Sequence, residues 1–290
     1  MSATEPVILV TGASGQLGRL VIAALLDKVA SSRIVAGVRD PGKVADLAAK
    51  GVGVRVVDYD RPETLAAAFA GVDRLLLISS NELGRRMPQH KATIDAAKAA
   101  GVGLIAYTSI LGAATSPLPL AAEHAETEAY LAASGVPHVF LRNGWYIENY
   151  AGSIAPALEH GAVLGASGDG RISAAARADY AEAAAVVLAS DDQAGKIYEL
   201  GGDEAFTMAE WAATLADLSG KPVVFKNLPE ADYKGFLVSV GLPEGFADLL
   251  ATSDTGASKG GLYDGGKALS TLIGRPTTSL RASLAAALKG

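Results

Sequence analysis

Cysteine is missing from all 290 residues. Disulfide bonds, thiolate catalysis and cysteine-ligated zinc are excluded with it. No uninterrupted apolar run reaches the roughly 18 residues that a membrane-crossing helix needs. The first residues carry Glu5 and no basic stretch ahead of an apolar one. Neither a signal peptide nor a membrane span is therefore expected, and a cytoplasmic protein is. Basic charge is also scarce: 25 Lys and Arg against 31 Asp and Glu give a net −6, with no basic block. A nucleic-acid binder shows a Lys/Arg-rich face, so no nucleic-acid partner is expected. The histidines lack metal-ligand spacing, and no metal is expected. Among them His90 and His160 read as helix-surface residues, and His138 follows a proline turn.

What is present is a globular composition, 50% hydrophobic and 19% charged, in a chain long enough for one large or two modest domains. Short β-branched runs alternate with Ala-rich helical patterns through the first half. Runs at 7–10, 34–38, 52–57, 75–78, 104–107 and 139–141 read as strands, with helices between them. Such alternation predicts an α/β fold, a Rossmann-type doubly wound parallel sheet covered on both faces. Residues 1–150 form this nucleotide-binding domain, which regains 173–202. Residues 151–172 and 203–290 make a smaller, mostly helical substrate-binding cap. Within these, the Gly-rich stretch 161–172 predicts a hairpin or lid, and Asp179 with Glu182 a capping box for a helix over 180–189. Residues 253–267, rich in Gly, Ser and Asp, read as a mobile loop that closes over substrate.

Gly12, Ala13, Ser14, Gly15, Gln16 and Leu17, followed by Gly18, lie between the first strand and the first helix. Glycines there permit a tight turn and close backbone approach, so that helix N–H groups hold a pyrophosphate. The residue ending the second strand selects the cofactor: an acid accepts ribose hydroxyls, whereas an arginine accommodates a 2′-phosphate. Arg39 stands there, so NADPH/NADP is expected over NAD. Asp58 after the third strand and Ser79, Ser80 and Asn81 after the fourth share the same carboxyl edge. Asp58 is placed either against the adenine amine or as a cap for the next helix, and residues 79–81 against the ribose.

The Tyr-x-x-x-Lys pair that most short-chain reductases use as acid and ribose clamp is absent from the helix after the fifth strand. Only Tyr263 and Lys267 have that spacing, far downstream in a Gly-Gly segment. In the expected place stand His124 and Glu128, one helical turn apart. They are either a replacement for the missing pair or an exposed His–Glu face.

These residues together resemble the NmrA-like branch of the atypical short-chain dehydrogenase/reductases, and within it the bacterial NAD(P)H:quinone oxidoreductases. The similarity spans essentially the whole chain. It is carried by residues 11–17, 75–80 with 89–90, 106–109, 124–128, 141–146 with 148–150, 177–180, 258–262 and 272–277. Gly265-Gly266 departs from it, standing where an acid and a serine are expected. The resemblance implies an enzyme without flavin that binds NADPH and admits a small-molecule quinone to a cleft between its domains, as a monomer or homodimer. It adds Asn143, Gly144, Trp145, Tyr146, Ile147 and Glu148 to the cofactor residues and offers Tyr146 as a contact for the quinone ring. A quinone accepts hydride easily and its product anion is a weak base, so a strong acid matters less than orientation. His124 and Tyr146 are the catalytic candidates. Two other readings remain: a cofactor-sensing regulator of the NmrA kind without catalysis, and a reductase of bulky dyes.

Overall fold

The computed structural model describes residues 6–289. β1 (Ile8–Val10) is buried at every position, as a strand covered on both faces must be. After α1 (Gln16–Leu26) come β2 (Ile34–Val38), α2 (Ala45–Ala49), β3 (Gly53–Val56) and α3 (Pro62–Phe69). The chain then returns to the middle with β4 (Arg74–Leu77) and α4 (Arg86–Ala99). It builds outward through β5 (Leu104–Ile110), α5 (Ala121–Ser134) and β6 (His138–Asn143). Later segments add α6 (Ala151–His160), β7 (Ala162–Gly165), α7 (Arg177–Ala189) and β8 (Ile197–Leu200).

The main sheet has the order β3-β2-β1-β4-β5-β6-β8. β1 pairs in parallel with both β2 and β4, and β3 and β5 extend the ladder in parallel. The order in which strands are added therefore reverses between β1 and β4, and the carboxyl ends of these parallel strands form the edge where such sheets take ligands. The doubly wound α/β expectation is met.

Two compact units emerge. The first comprises the described residues up to Ile110 with Glu123–Arg142 and Arg177–Tyr198. In it α7 packs along α1. On one face of the sheet Leu75, Leu77, Ile105 and Tyr107 meet Leu65, Phe69, Ile94 and Leu131 from the helices. Each large side chain so buried contributes about 1.5–3 kcal/mol. α7 starts at Arg177, so Asp179 lies inside its first turn and is not the cap expected.

The second unit comprises Leu111–Ala122, Asn143–Ala176 and the residues from Glu199 onward. Both 111–122 and 143–150 thus group apart from the rest of the first 150 residues. It contains α8 (Met208–Ser219), β9 (Val224–Asn227), α9 (Glu230–Ser239), α10 (Glu244–Ser258), α11 (Ala268–Ile273) and α12 (Leu280–Ala287). The expected hairpin at 161–172 does not form: β7 pairs in parallel with the distant β9, from Ala162 with Val224 to Gly165 with Asn227.

Residues 253–258, expected in a loop, belong to α10. The small residues there serve close packing. A Cβ on Gly256 would stand 2.7 Å from Leu118 Cδ2, and one on Gly261 2.9 Å from Pro117 Cγ.

Candidate functional site: the carboxyl edge of β1, β2, β3 and β4

The turn after β1 is built by glycine. Gly12 takes φ +58°, a conformation side chains resist. Its carbonyl accepts the Gly15 N–H at 2.9 Å, and Ala13 N–H ties the loop to the Gly37 carbonyl of β2 at 3.1 Å. A Cβ at Gly18 would run into the Gly12 carbonyl and lie 2.7 Å from Ala13 Cα, so only glycine lets α1 sit this close to the loop. No side chain caps α1 and no acid occupies its first turn. Its partial positive end is left for an anion.

A cavity of about 270 Å³ opens on this edge. Gly12, Ser14, Gly15, Arg39, Asp58, Ser79, Ser80 and Asn81 line it, eight of the residues expected from the sequence. Ala13 and Leu17 are buried, while Gln16 is exposed as the first residue of α1. Tyr59, Asp60, Glu82 and Gln89 also line the cavity and were missed by the sequence reading. Tyr59 and Glu82 adjoin expected residues, and Asp60 is two positions from Asp58. Gln89 is seven residues from Glu82, yet its Nε2 donates to that carboxylate at 3.1 Å.

The site fits a dinucleotide. A helix N-terminus without a capping side chain suits the pyrophosphate, and Gln89 Oε1 is buried in the lining with no hydrogen-bond partner.

Arg39 follows β2, with its side chain 70% exposed and Nη1 3.8 Å from Glu82 Oε1. Asp40 turns away into its own cap, accepting the Gly42 N–H at 2.9 Å. Asp58 does not cap α3, whose N-cap residue is Arg61 with no side-chain cap bond. It lines the cavity, and it accepts Arg61 Nε at 3.0 Å and Asp60 N–H at 3.1 Å just before α3. Burial works to raise the Asp58 carboxyl, but those hydrogen bonds outweigh it and hold the group below the usual range. Tyr59 closes the inner wall, donating to Thr11 Oγ1 at 2.6 Å, while Thr11 Oγ1 accepts Ile78 N–H at 2.9 Å.

His90 is fully buried, contrary to the surface position expected. Ser80 N–H meets its Nε2 at 3.0 Å, and its Nδ1 lies 3.0 Å from Thr127 Oγ1. An amide only donates, so Nε2 accepts and the neutral ring carries its proton on Nδ1, facing Thr127. Thr127 passes the bond on to the Glu123 carbonyl at 2.9 Å. Burial, helped by the nearby Arg86 charge, pushes His90 down to about 3. Arg86, itself buried, donates Nε to the Ser80 carbonyl at 2.7 Å. The loop holding Ser79–Asn81 is thus fastened from below by α4.

His124 and Glu128 are both buried, so the exposed-face alternative is overturned. They do not act as a pair. Glu128 takes a two-pronged bond from Arg142, Nε to Oε1 at 2.9 Å and Nη2 to Oε2 at 2.6 Å. His124 Nδ1 lies 2.8 Å from the Tyr107 hydroxyl. Burial, with Arg86 and His90 nearby, pushes His124 down to about 3, and burial pushes the Tyr107 phenol up. His124 is neutral at working pH.

In the second unit, Asn143 is buried with Oδ1 unpartnered, and its carbonyl accepts Leu111 N–H at 3.1 Å. Gly144 N–H reaches Leu200 O at 2.8 Å. Tyr146 forms a parallel bridge with Ala175, flanked by Ala175 N–H to Trp145 O and Ile147 N–H to Ala175 O, both 3.1 Å. Ile147 is buried and Glu148 exposed, both in the short 3-10 turn Ile147–Tyr150. Among the described residues no cluster is able to hold a metal ion, and no helix is long and apolar enough to cross a membrane.

The NAD(P)H-binding family model matches residues 12–191. The chain belongs to the NAD(P)H-binding family. Quinone oxidoreductase 2 of Escherichia coli (strain K12) is 57% identical over 277 residues, which covers 96% of this chain and 97% of that one. A crystal structure of the NADPH-dependent quinone oxidoreductase QOR2 from E. coli, complexed with NADPH, matches at a TM-score of 0.95 and 56% identity. It covers 97% of this chain and 99% of that one. Triphenylmethane reductase of Citrobacter sp., complexed with NADP(H), matches at 0.93 and 39% identity over 97% of this chain and 99% of that one. NmrA, a negative transcriptional regulator in complex with NAD, shares the fold at a TM-score of 0.78 and 14% identity, over 97% of this chain and 95% of that one. The expected kinship with NmrA-like reductases stands on these matches.

Proposed function

We infer that the protein is an NADPH-dependent quinone oxidoreductase that works without flavin. The observation that carries the quinone-reductase reading is its 57% identity to E. coli quinone oxidoreductase 2 along nearly the full length of both chains. A regulator without catalysis rests on fold alone, at 14% identity to NmrA. Bound at the carboxyl edge, the nicotinamide supplies a hydride to the acceptor.

The remaining work falls to the chain's own residues. Gly12–Gly15 and the amides opening α1 hold the pyrophosphate. Arg39 takes the 2′-phosphate, and Ser79–Asn81 edge the ribose, held in place by His90 and Arg86. Asn143–Glu148 approach the cofactor, and Tyr146 gives the quinone ring a flat apolar contact. His124 acts as a neutral hydrogen-bond donor. With Tyr107 O–H donating to Nδ1, the ring proton is on Nε2 and directed to a quinone oxygen as it gains charge. The same proposal places the enzyme in the cytoplasm as a monomer or homodimer.

Purified protein lacking flavin absorbance, combined with a primary isotope effect from NADPH deuterated at the transferable position, tests direct transfer. A bound flavin that is reduced before the quinone would refute it.

A further inference from the structure

Glu82 sits on the cofactor cavity with its carboxylate aimed at the residue read as the 2′-phosphate ligand. Its Oε1 lies 3.8 Å from Arg39 Nη1. Arg39 is not what holds it there. Glu82 Oε2 accepts from Arg85 Nη1 and from Gln89 Nε2, each at 3.1 Å. Arg85 Nη2 and the same Gln89 Nε2 grip Asp60 Oδ1 at 2.7 and 3.0 Å. The Glu82 N–H also donates to Ser80 Oγ at 3.2 Å. The acid is therefore set in position by its own bonds, whereas Arg39 ends in a side chain 70% exposed.

We propose that Glu82 is a counter-selector in the cofactor site, holding Arg39 when the adenosine 2′ position bears a hydroxyl and opposing a phosphate there. This rests on the reading of Arg39 as the 2′-phosphate ligand. With an unphosphorylated cofactor the Arg39–Glu82 pair stays intact and no added negative charge faces the carboxylate. With a phosphorylated one, Arg39 changes partner and the phosphate charge shares the cavity with a fixed carboxylate. Only the 2′-phosphorylated cofactor bears that cost. Like charges a few ångströms apart in a solvent-exposed setting change affinity by about three- to tenfold, less as salt rises. The chain is accordingly less selective for NADPH than Arg39 alone implies.

The test is equilibrium binding of NADP⁺ and NAD⁺ to the full-length protein and its variants, with no quinone present. Glu82→Gln keeps an oxygen for Arg85 and Gln89 while removing the charge. It should tighten NADP⁺ about three- to tenfold and leave NAD⁺ unchanged or weaker, with the gain shrinking at high salt. Glu82→Asp, drawn back by one carbon, should gain less than Glu82→Gln. Equal change for both nucleotides, or no change, overturns the proposal. Arg39→Gln tests the underlying reading separately: it should weaken NADP⁺ relative to NAD⁺, and an unaltered ratio removes Arg39 and the proposal with it. Binding of neither nucleotide by the unmodified chain would contradict the cofactor site as a whole.

Discussion

The backbone N–H of Ser80 donates to Nε2 of His90 at 3.0 Å, so a buried side chain on α4 carries the loop that edges the cavity. His90→Leu leaves that amide unpaired and should cost about 1–3 kcal/mol by chemical denaturation. It should also raise the KM for NADPH more than it lowers kcat. His90→Gln, which offers an oxygen acceptor, should recover part of both losses. Equal stability and KM in the leucine variant would show that the bond positions nothing.

Two buried histidines make stability sensitive to acid. His90 and His124 are both pushed down to about 3 in the folded protein, against about 6.5 when unfolded. Between those values the unfolded chain binds more protons, so stability is full above pH 6.5 or so and falls as pH drops. Each group contributes up to about 1.4 kcal/mol per pH unit in that window. Asp254 works the other way: burial pushes it up to about 6, so the folded form gains a proton first and is favoured as pH falls through 6. Melting temperature followed from pH 7 to 4 should decline, and His90→Gln should flatten the decline. An unchanged slope in that variant would contradict the assignment.

Gly18→Ala places a methyl group where the Gly12 carbonyl stands. Relieving the clash moves α1 off the phosphate loop, at a cost of about 1–3 kcal/mol. Calorimetric titration should show NADPH binding weakened about tenfold or more, with the far-ultraviolet spectrum preserved. Wild-type affinity would mean that the loop tolerates displacement.

In the proposed mechanism His124 serves as a neutral donor, not as an acid that titrates. His124→Ala should lower quinone turnover by about five- to thirtyfold, the worth of one hydrogen bond to a developing charge. The pH profile should have the same shape in both enzymes between pH 5 and 8. An ionisation near 6–7 that disappears with His124 would contradict the neutral assignment.

The strands, their parallel arrangement and the glycine turn after β1 were legible because each leaves a local trace. Short apolar runs mark a covered strand, and Gly12, Gly15 and Gly18 mark a turn between strand and helix. His90 was not legible, and α4 shows why. Arg86, Gln89, His90, Thr93, Ile94 and Ala97 are buried at helical spacing, but four of these six are polar. A stripe recognised by hydrophobicity is invisible when its partners are a backbone amide, a carbonyl and carboxylates. Residues 253–258 of the expected loop misled for a related reason. Glycine signals conformational freedom or close packing equally well, and which applies depends on Pro117 and Leu118, more than a hundred residues away in sequence. Pairing of β7 with β9 is likewise non-local, and neither strand alternates strongly enough to announce a partner.

The most direct test of the central claim is the rate of NADPH oxidation by the purified protein with and without a simple benzoquinone, run beside NADH. Oxidation that depends on quinone, with NADPH ahead of NADH, is the result expected. Tight NADPH binding with no turnover on any quinone would contradict it and point to a cofactor sensor.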